Sequence, residues 1–354
     1  PISTLFPSTT LFRSTVTNSG VPLGTIDALS LAGAQDERTS SRLGFRGTED
    51  LGGGLRAGFV YEFGINADRD GNSGAGQTRL ANLSLSGGFG TVVVGTFMNA
   101  FDTVRNFSPA TVGVAGGDFL VAHGTFDGIP ATLRTLWVID AEDLTMHIAG
   151  RSQNAIAYVS PNMSGFTFSV GTLKEDTSWS VNGGAAASSD TTGFLLGLGY
   201  AQGPLTAQFA FGDVDVDSSS RDAAQVTTRT SRDLRNWAFA VRYDLGFVVP
   251  TFQYETSELT GAPGVSDEFS AWEIGARFPM GAFAPYITFG DGEVEIRDAG
   301  GVDTFDSRSW QIGTTYNLSA RTWVYAAVGE IRVSDREGFR YTRDGYSIGL
   351  VHTF

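Results

Sequence analysis

The sequence contains no cysteine, which excludes a disulfide framework, a thiolate metal site and a cysteine nucleophile. It contains a single lysine, Lys174, so that arginine carries almost all of the positive charge. The guanidinium group is planar and permanently ionised, which suits charges held in a fixed geometry. No apolar run approaches the roughly 20 residues that a membrane-spanning helix requires. If this chain crosses a membrane, it must therefore cross it with strands.

The composition is acidic and rich in glycine. The chain has 38 Asp and Glu residues against 24 Lys and Arg, a formal net charge of −14 at pH 7. This balance disfavours nucleic acid as a partner. The 46 glycines and 26 phenylalanines favour many short strands and tight turns over helices. The composition therefore predicts an all-β protein.

The amino-terminal residues 1–14 differ from the rest of the chain. They show neither the pattern of a signal peptide nor that of a strand, and they resemble the translation of a sequencing adapter. We predict that residues 1–14 are a non-native or disordered tail. Residues 15–354 are then expected to form a single domain.

Seven turn signals recur along this domain at nearly even intervals. They lie at residues 49–54, 87–90, 161–165, 202–204, 244–246, 279–281 and 317–321. Most are about 35 to 43 residues apart, the length of two membrane strands of about 9 to 11 residues joined by a longer loop. The spacing predicts a transmembrane antiparallel β-barrel of about sixteen strands, with about eighteen as the alternative.

The interval between the second and third turn signals is about twice as long as the others. Its middle, residues 98–150, lacks sustained period-2 alternation, and loops of this length are usually functional or disordered. A sixteen-stranded barrel encloses an aqueous lumen that can accommodate such a loop. We predict that residues 98–150 form a long third loop folded into the lumen. An additional hairpin within this interval is the alternative.

The final strand indicates which environment the sheet meets. One of its faces is apolar and ends the chain on an aromatic residue: Tyr346, Ile348, Leu350, His352 and Phe354. A soluble β-sandwich would turn such a face inward, but charges recur on the opposite face of successive strands, which favours a barrel in lipid. We expect this strand to close the ring against residues 18–27, with Tyr346, Leu350 and Phe354 as a closure and assembly signal.

Several segments resemble one protein family, in the same order along the chain. They are residues 41–59 (SRLGFRGTEDLGGGLRAGF), 85–91 (LSGGFGT), 154–161 (NAIAYVSP), 316–322 (YNLSART) and 349–354 (GLVHTF). These segments are similar to the general porins of Gram-negative outer membranes, especially the beta-proteobacterial ones. The resemblance implies a homotrimer of sixteen-stranded barrels in the lipid bilayer and lipopolysaccharide. It also implies an inward third loop and a terminal strand that the barrel-assembly machinery reads.

The candidate site consists of charges at the narrowest part of the pore, because a pore selects by size and by local electric field. In the family, arginines that match Arg42 and Arg151 stand on the lumen wall. Arg46 is predicted there from alternation alone, and the register of Arg79 is uncertain. The predicted partners on the loop are Asp102, Asp118, Asp127 and Asp140.

Opposed charges of this kind would create a transverse field that orients polar solutes. The simpler alternatives are solvated loop carboxylates and ion pairs that only stiffen the wall. The sequence leaves the sign of any ion preference open.

Two other functional classes are weighed against a passive pore for small polar solutes and ions. A barrel hydrolase would need a base beside a nucleophile, but His123, His147 and His352 accompany no G-x-S-x-G pattern. No phosphate-binding loop or metal motif is present, and we predict no cofactor and no bound metal. A barrel that acts mainly as an adhesin or receptor through its outer loops is the second alternative.

Overall fold

The computed structural model describes residues 4–5, 8–18, 21–30, 42–64, 77–110, 150–181, 185–221, 227–298 and 300–353. Within these ranges the chain forms one antiparallel sheet and one short helix. None of the helical structure in this part of the chain has the length and apolarity needed to span a membrane. The predicted all-β class is therefore confirmed.

The elements follow one another in a simple order. The first strands are β1 (Thr4–Leu5), β2 (Ser8–Asn18), β3 (Val21–Ser30), β4 (Arg42–Gly52), β5 (Leu55–Gly64), β6 (Gln77–Gly87) and β7 (Gly90–Met98). The helix α1 (Ala100–Arg105) precedes β8 (Arg151–Val159), β9 (Phe166–Val181), β10 (Ala185–Gln202), β11 (Leu205–Arg221) and β12 (Thr227–Tyr243). The last strands are β13 (Val249–Thr260), β14 (Ser266–Arg277), β15 (Phe283–Asp298), β16 (Gly301–Asn317), β17 (Thr322–Asp335) and β18 (Phe339–Thr353).

The sheet closes on itself. From β4 to β18 each strand pairs antiparallel with the next. Thr4 then pairs with Thr353 of β18 on one side and with Arg42 of β4 on the other. Because β1 and β2 keep one register along β18, they act as a single interrupted strand. The sheet has eighteen named strands within the described residues, and this interrupted strand and β4 to β18 complete a ring of sixteen, as the turn spacing predicts.

The amino-terminal seam differs from the prediction. The sequence predicts that residues 18–27 pair with the final strand, and this is wrong. Instead β18 pairs with β1 and β2, whereas β3, which holds most of that segment, pairs with the opposite edge of β2. Residues 8–14 lie in this ladder, although the sequence assigns residues 1–14 to a tail. Side-chain alternation alone cannot decide whether β2 or β3 pairs with β18, because the backbone of either segment can form the hydrogen-bond ladder.

All seven predicted turns are present, and they lie at one end of the ring, which we call the turn end. Gly52, Gly53 and Gly54 have φ angles of 82°, 61° and 82°, a left-handed conformation that only glycine adopts without steric cost. Toward the opposite end, the loop end, strands are longer than predicted, since β9 to β12 contain 16 to 18 residues. An antiparallel ladder continues wherever its neighbours pair, and polar side chains do not end it.

Side-chain alternation separates two faces, as predicted. Exposed apolar side chains form an outer belt whose members include Phe45, Phe59, Leu83, Val94, Ile156, Phe168, Leu198, Ile274, Ile287, Ile312, Val328 and Ile348. The inner face carries buried small and polar residues such as Ala238 and Gln253. On β17, which the sequence leaves ambiguous, Val328 lies on the outer face and Tyr325 on the inner face. The belt is the surface that a barrel presents to lipid.

Two buried tyrosines cover glycines on neighbouring strands of the inner face. Tyr286 of β15 lies opposite Gly313 of β16, and Tyr325 of β17 lies opposite Gly349 of β18. Both tyrosines are almost fully buried, and a Cβ atom added at either glycine would collide with the facing ring. Glycine is required at these positions because the ring occupies the space that a side chain would fill.

We expect Gly349→Val to lower the free energy of unfolding by about 1 to 3 kcal/mol, because the new side chain displaces the Tyr325 ring. Urea titration of the detergent-solubilised barrel, followed by its heat-modifiable gel mobility, measures the effect. Gly88→Val is the matched control, since a Cβ at Gly88 meets no atom within 4 Å. Equal stability of the two variants would contradict the packing role of Gly349.

Candidate functional site

Two arginines converge on one glutamate at the inner face of β4 to β6. Glu62 Oε1 lies 3.0 Å from Arg79 Nε and 3.5 Å from Arg42 Nη1. The three side chains are only 8% to 24% exposed, so these charges are partly removed from water and interact more strongly than surface pairs. The geometry confines two guanidinium groups and one carboxylate to a single patch of wall, which we call the basic cluster.

A β-bulge brings Arg79 into this cluster. Leu83 and Leu85 lie on the outer belt, so strict alternation along β6 would place Arg79 on the outer face as well. However, Glu62 pairs with Leu80 and Phe63 pairs with Thr78, which leaves Arg79 as the extra residue of the ladder. The bulge re-aims its side chain toward the interior. Simple period-2 reasoning could not have found this placement.

Arg46 shares the inner face with Arg42, since both alternate with the exposed Leu43 and Phe45. Its side chain is exposed to the interior and lies nearer to the turn end than the basic cluster. The structure therefore agrees with the inward orientation predicted for Arg42 and Arg46.

A second bulge affects the placement of Arg151. Gly95 pairs with Ala155 and Phe97 pairs with Ser152, so that residues 153–154 together oppose one residue of β7. Asn154 adopts a left-handed φ of 43° at this point. The bulge interrupts the alternation from which the inward orientation of Arg151 was inferred. Arg151 itself is half-buried and lies opposite Met98, and its role in the pore stays a prediction.

The segment that leaves β7 begins with a capped helix. The Asn99 Oδ1 atom accepts hydrogen bonds from the backbone N–H groups of Phe101 and Asp102 at 3.0 and 3.4 Å, which is the usual N-cap arrangement. The Asn99 amide also donates to Ser152 Oγ at 3.1 Å, and the Asn99 N–H donates to the Gly150 carbonyl. These contacts fix both ends of the third loop at one point of the wall. We call residues 99–110 the loop root.

The loop root runs along the inner wall. Phe101 and Val104 are completely buried and pack against inner-face residues of β10 to β13: Leu195, Ala210, Val214, Leu234, Ala238, Ala240 and Leu259. The wall here is apolar, and it approaches the helix so closely that a Cβ added at Gly197 would meet the Ala100 Cβ at 2.7 Å. Burial of these apolar groups inside the ring stabilises the inward course of the chain.

Four further contacts hold the loop root along the inner wall of the barrel. Arg105 Nη2 lies 3.0 Å from Glu255 Oε1 on β13, and the Arg242 guanidinium stacks 5.1 Å from the centre of the Phe107 ring. A Cβ at Gly275 of β14 would meet Pro109 Cγ at 2.6 Å, and Ala110 reaches the cluster of Tyr286 and Tyr325. The described start of the third loop thus lies inside the barrel.

The predicted loop carboxylates are only partly within the described residues. Asp102 lies in the first turn of α1, where its Oδ2 atom accepts a hydrogen bond from Asn106 Nδ2 at 2.8 Å. Asp118, Asp127 and Asp140 lie outside the described residues, and their positions stay predictions. Glu255 and Arg105 were not among the predicted site residues. Alternation places Glu255 on the inner face, but nothing in the sequence links it to Arg105.

The closing strand has the predicted faces. Tyr346 is 53% exposed on the outer belt, and Leu350 shares its face while Val351 is buried inside. His352 Nδ1 lies 2.8 Å from the Thr322 hydroxyl on β17, so this ring braces the turn end of the last two strands. Phe354 lies outside the described residues, and its part in assembly stays a prediction.

Comparison with known proteins identifies the family. The family model for the Gram-negative porin matches residues 23–336. The chain belongs to the Gram-negative porin family. Outer membrane porin protein 32 of Delftia acidovorans is 28% identical over 322 residues, which cover 88% of this chain and 80% of that protein. This porin is therefore an outer-membrane barrel that forms a channel, and neither the adhesin nor the hydrolase alternative is favoured.

Solved structures share the fold of this porin. The anion-selective porin from Comamonas acidovorans superimposes with a TM-score of 0.65 at 21% identity, covering 100% of both chains. OmpT of Vibrio cholerae in its trimer form gives a TM-score of 0.62 at 14% identity, covering 99% of both chains. Such low identities with full coverage show a common barrel architecture.

We expect the double variant Pro109→Cys/Gly275→Cys to form a disulfide, because a Cβ at Gly275 would lie 2.6 Å from Pro109 Cγ and a disulfide joins neighbouring Cβ atoms about 3.5 to 4.5 Å apart. The porin has no native cysteine to interfere. Gel mobility with and without reductant measures the cross-link. Pro109→Cys/Gly58→Cys, which places the second thiol on the wall of the basic cluster, is the control and should stay reduced. Equal cross-linking of both pairs would contradict the described course of the loop root.

Proposed function

We propose that this porin conducts small hydrophilic solutes and ions passively through a constriction between the basic cluster and the third loop. The observation that carries the proposal is the convergence of Arg42 and Arg79 on Glu62. The loop root lies against β10 to β14, and β13 is halfway around the ring of sixteen from β5. A solute that crosses the barrel therefore passes between these two surfaces.

The basic cluster gives the constriction a preference for anions. Two guanidinium groups meet one carboxylate in this patch, so that cations outnumber carboxylates there among the described residues. Screening over about 8 Å at physiological salt makes such local charges dominate over distant ones. The total of −14 has little influence there, because many carboxylates face outward. The Comamonas porin, which shares the fold, is described as anion-selective.

Part of the acidic excess lies on the outer face near the loop end. Asp213, Asp215 and Asp217 alternate with the inward Val214 on β11, beyond the apolar belt. Arg235 Nε lies 3.5 Å from Asp213 Oδ2 at this level. An arginine at this level can bind the phosphates of lipopolysaccharide, while the apolar belt, which lies nearer to the turn end, contacts the lipid chains.

The porin acts as a homotrimer that the barrel-assembly machinery inserts. OmpT of Vibrio cholerae, which shares the fold, has a trimer form. The outer belt offers apolar surface for contacts between barrels as well as with lipid. Tyr346, Leu350 and Phe354 supply the outward pattern of the closing strand that the machinery reads. We assign no catalytic role to this porin.

The anion preference predicts the sign of the reversal potential in a salt gradient across a planar bilayer. Wild-type channels should favour anions. Arg42→Ala and Arg79→Ala should each lower the ratio of anion to cation permeability by about twofold to fivefold, since each removes one cation close to the path. Glu62→Gln should raise the ratio, and Arg151→Ala should lower it if Arg151 faces the constriction.

Arg308→Ala is the matched control for these charge changes. Its side chain is 73% exposed on the outer face and pairs with Asp291 at 2.9 Å, so its removal should leave the reversal potential unchanged. If Arg42→Ala and Arg79→Ala behaved like Arg308→Ala, the basic cluster would not control selectivity.

The homotrimer predicts that a particle inserted in one event adds three equal pores, which then close in three equal conductance steps at high voltage. A folded trimer, verified by its mobility on gels without heating, should show these steps in a planar bilayer. A folded trimer that conducts no ions would refute the proposed pore.

A further inference from the structure

Glu255 is a fully buried carboxylate on the inner wall. Its side chain is 0% exposed, and its cross-strand neighbours are Ala238 of β12 and Ala271 of β14. Neither alanine offers a polar side chain. Oε1 pairs with Arg105, and Oε2 has no hydrogen-bond partner within the described residues. The barrel wall around Glu255 therefore supplies little compensation for its charge.

Other inner-face carboxylates have partners on the wall itself. Glu62 pairs with Arg42 and Arg79 of neighbouring strands. Glu273 accepts a hydrogen bond from Gln253 of β13 at 3.2 Å. Among the described residues, Glu255 instead pairs with Arg105 of the loop root, which is 150 residues away in sequence. A carboxylate placed this way would face lumen water if the loop root moved away.

We infer that Glu255 is a positioning residue that clamps the third loop to the wall and thereby keeps the channel open. The inference rests on the proposed pore function. A buried carboxylate is tolerated only when it is paired, and removal of one partner of a buried pair is strongly destabilising. The clamp thus favours the seated loop root over any arrangement in which Arg105 leaves Glu255.

The neighbouring contacts explain how one ion pair sets the position of a whole segment. Phe107, two residues after Arg105, lies under Arg242, and Pro109 fits into the space left open at Gly275. The first is a cation–π contact and the second a steric fit, and neither has the strength and direction of a charge-assisted hydrogen bond in a buried site. The ion pair supplies the directional contact that fixes the register of the loop root along the wall.

The test is a double-mutant cycle on single channels with Glu255→Gln, Arg105→Met and the double variant. Each single variant should close at least about tenfold more often at a fixed voltage, because the loop root leaves its seat and enters the path. The double variant should close no more often than the single variant with the higher closing frequency, since both changes remove the same contact. Additive effects would overturn the clamp.

Asp291→Asn is the matched control, since Asp291 pairs with Arg308 on the outer face, and it should close as rarely as wild type. A Glu255→Gln variant that also carries the Pro109→Cys/Gly275→Cys disulfide should close as rarely as wild type. Reduction of the disulfide should raise its closing frequency again. Wild-type behaviour of both single variants would overturn the clamp while leaving the pore intact. If Glu255→Gln does not fold, the same comparison of closing frequency is made with Arg105→Met, with and without the Pro109→Cys/Gly275→Cys disulfide. Absence of conductance in the wild type would instead refute the pore.

Discussion

The closed hydrogen-bond ladder is the constraint on which the rest of this porin depends. In hydrocarbon, every backbone N–H and C=O group needs an internal partner, and a ring of antiparallel strands provides one without leaving an edge. The ladder from β4 to β18 satisfies this requirement through local hairpins, whereas the closing contacts join the first residues to the last. The exposed belt and the enclosed lumen both follow from closure, because alternation then assigns each side chain to lipid or to the interior.

Departures from the regular ladder produce the features of the site. The bulge at Arg79 moves a guanidinium group from the outer face to the basic cluster. A second bulge at residues 153–154 lies beside the point where the third loop returns to the wall. Bulges commonly re-aim side chains in this way near functional sites. The selectivity that we propose therefore depends on irregularities that cost little backbone pairing.

The inner wall is asymmetric in both apolar character and charge. Between β10 and β13 it carries an apolar cluster, and the loop root lies on this cluster with Phe101 and Val104 completely buried. On the opposite side, Arg42, Arg79 and Glu62 form the basic cluster and carry the charge. The ion pair of Arg105 with Glu255 lies on the apolar side, where it uses charge to hold the segment against the wall.

The sequence by itself determined the all-β class, the seven turns, the faces of most strands and the inward orientation of Arg42 and Arg46. These features are local, since glycine-rich turns and period-2 alternation are set by residues close together in the chain. Only the tertiary structure decided the seam with β2, the inward placement of Arg79 and the pairing of Arg105 with Glu255. Each of these depends on which distant strands become neighbours or on one extra residue in a ladder, and alternation carries no information about either.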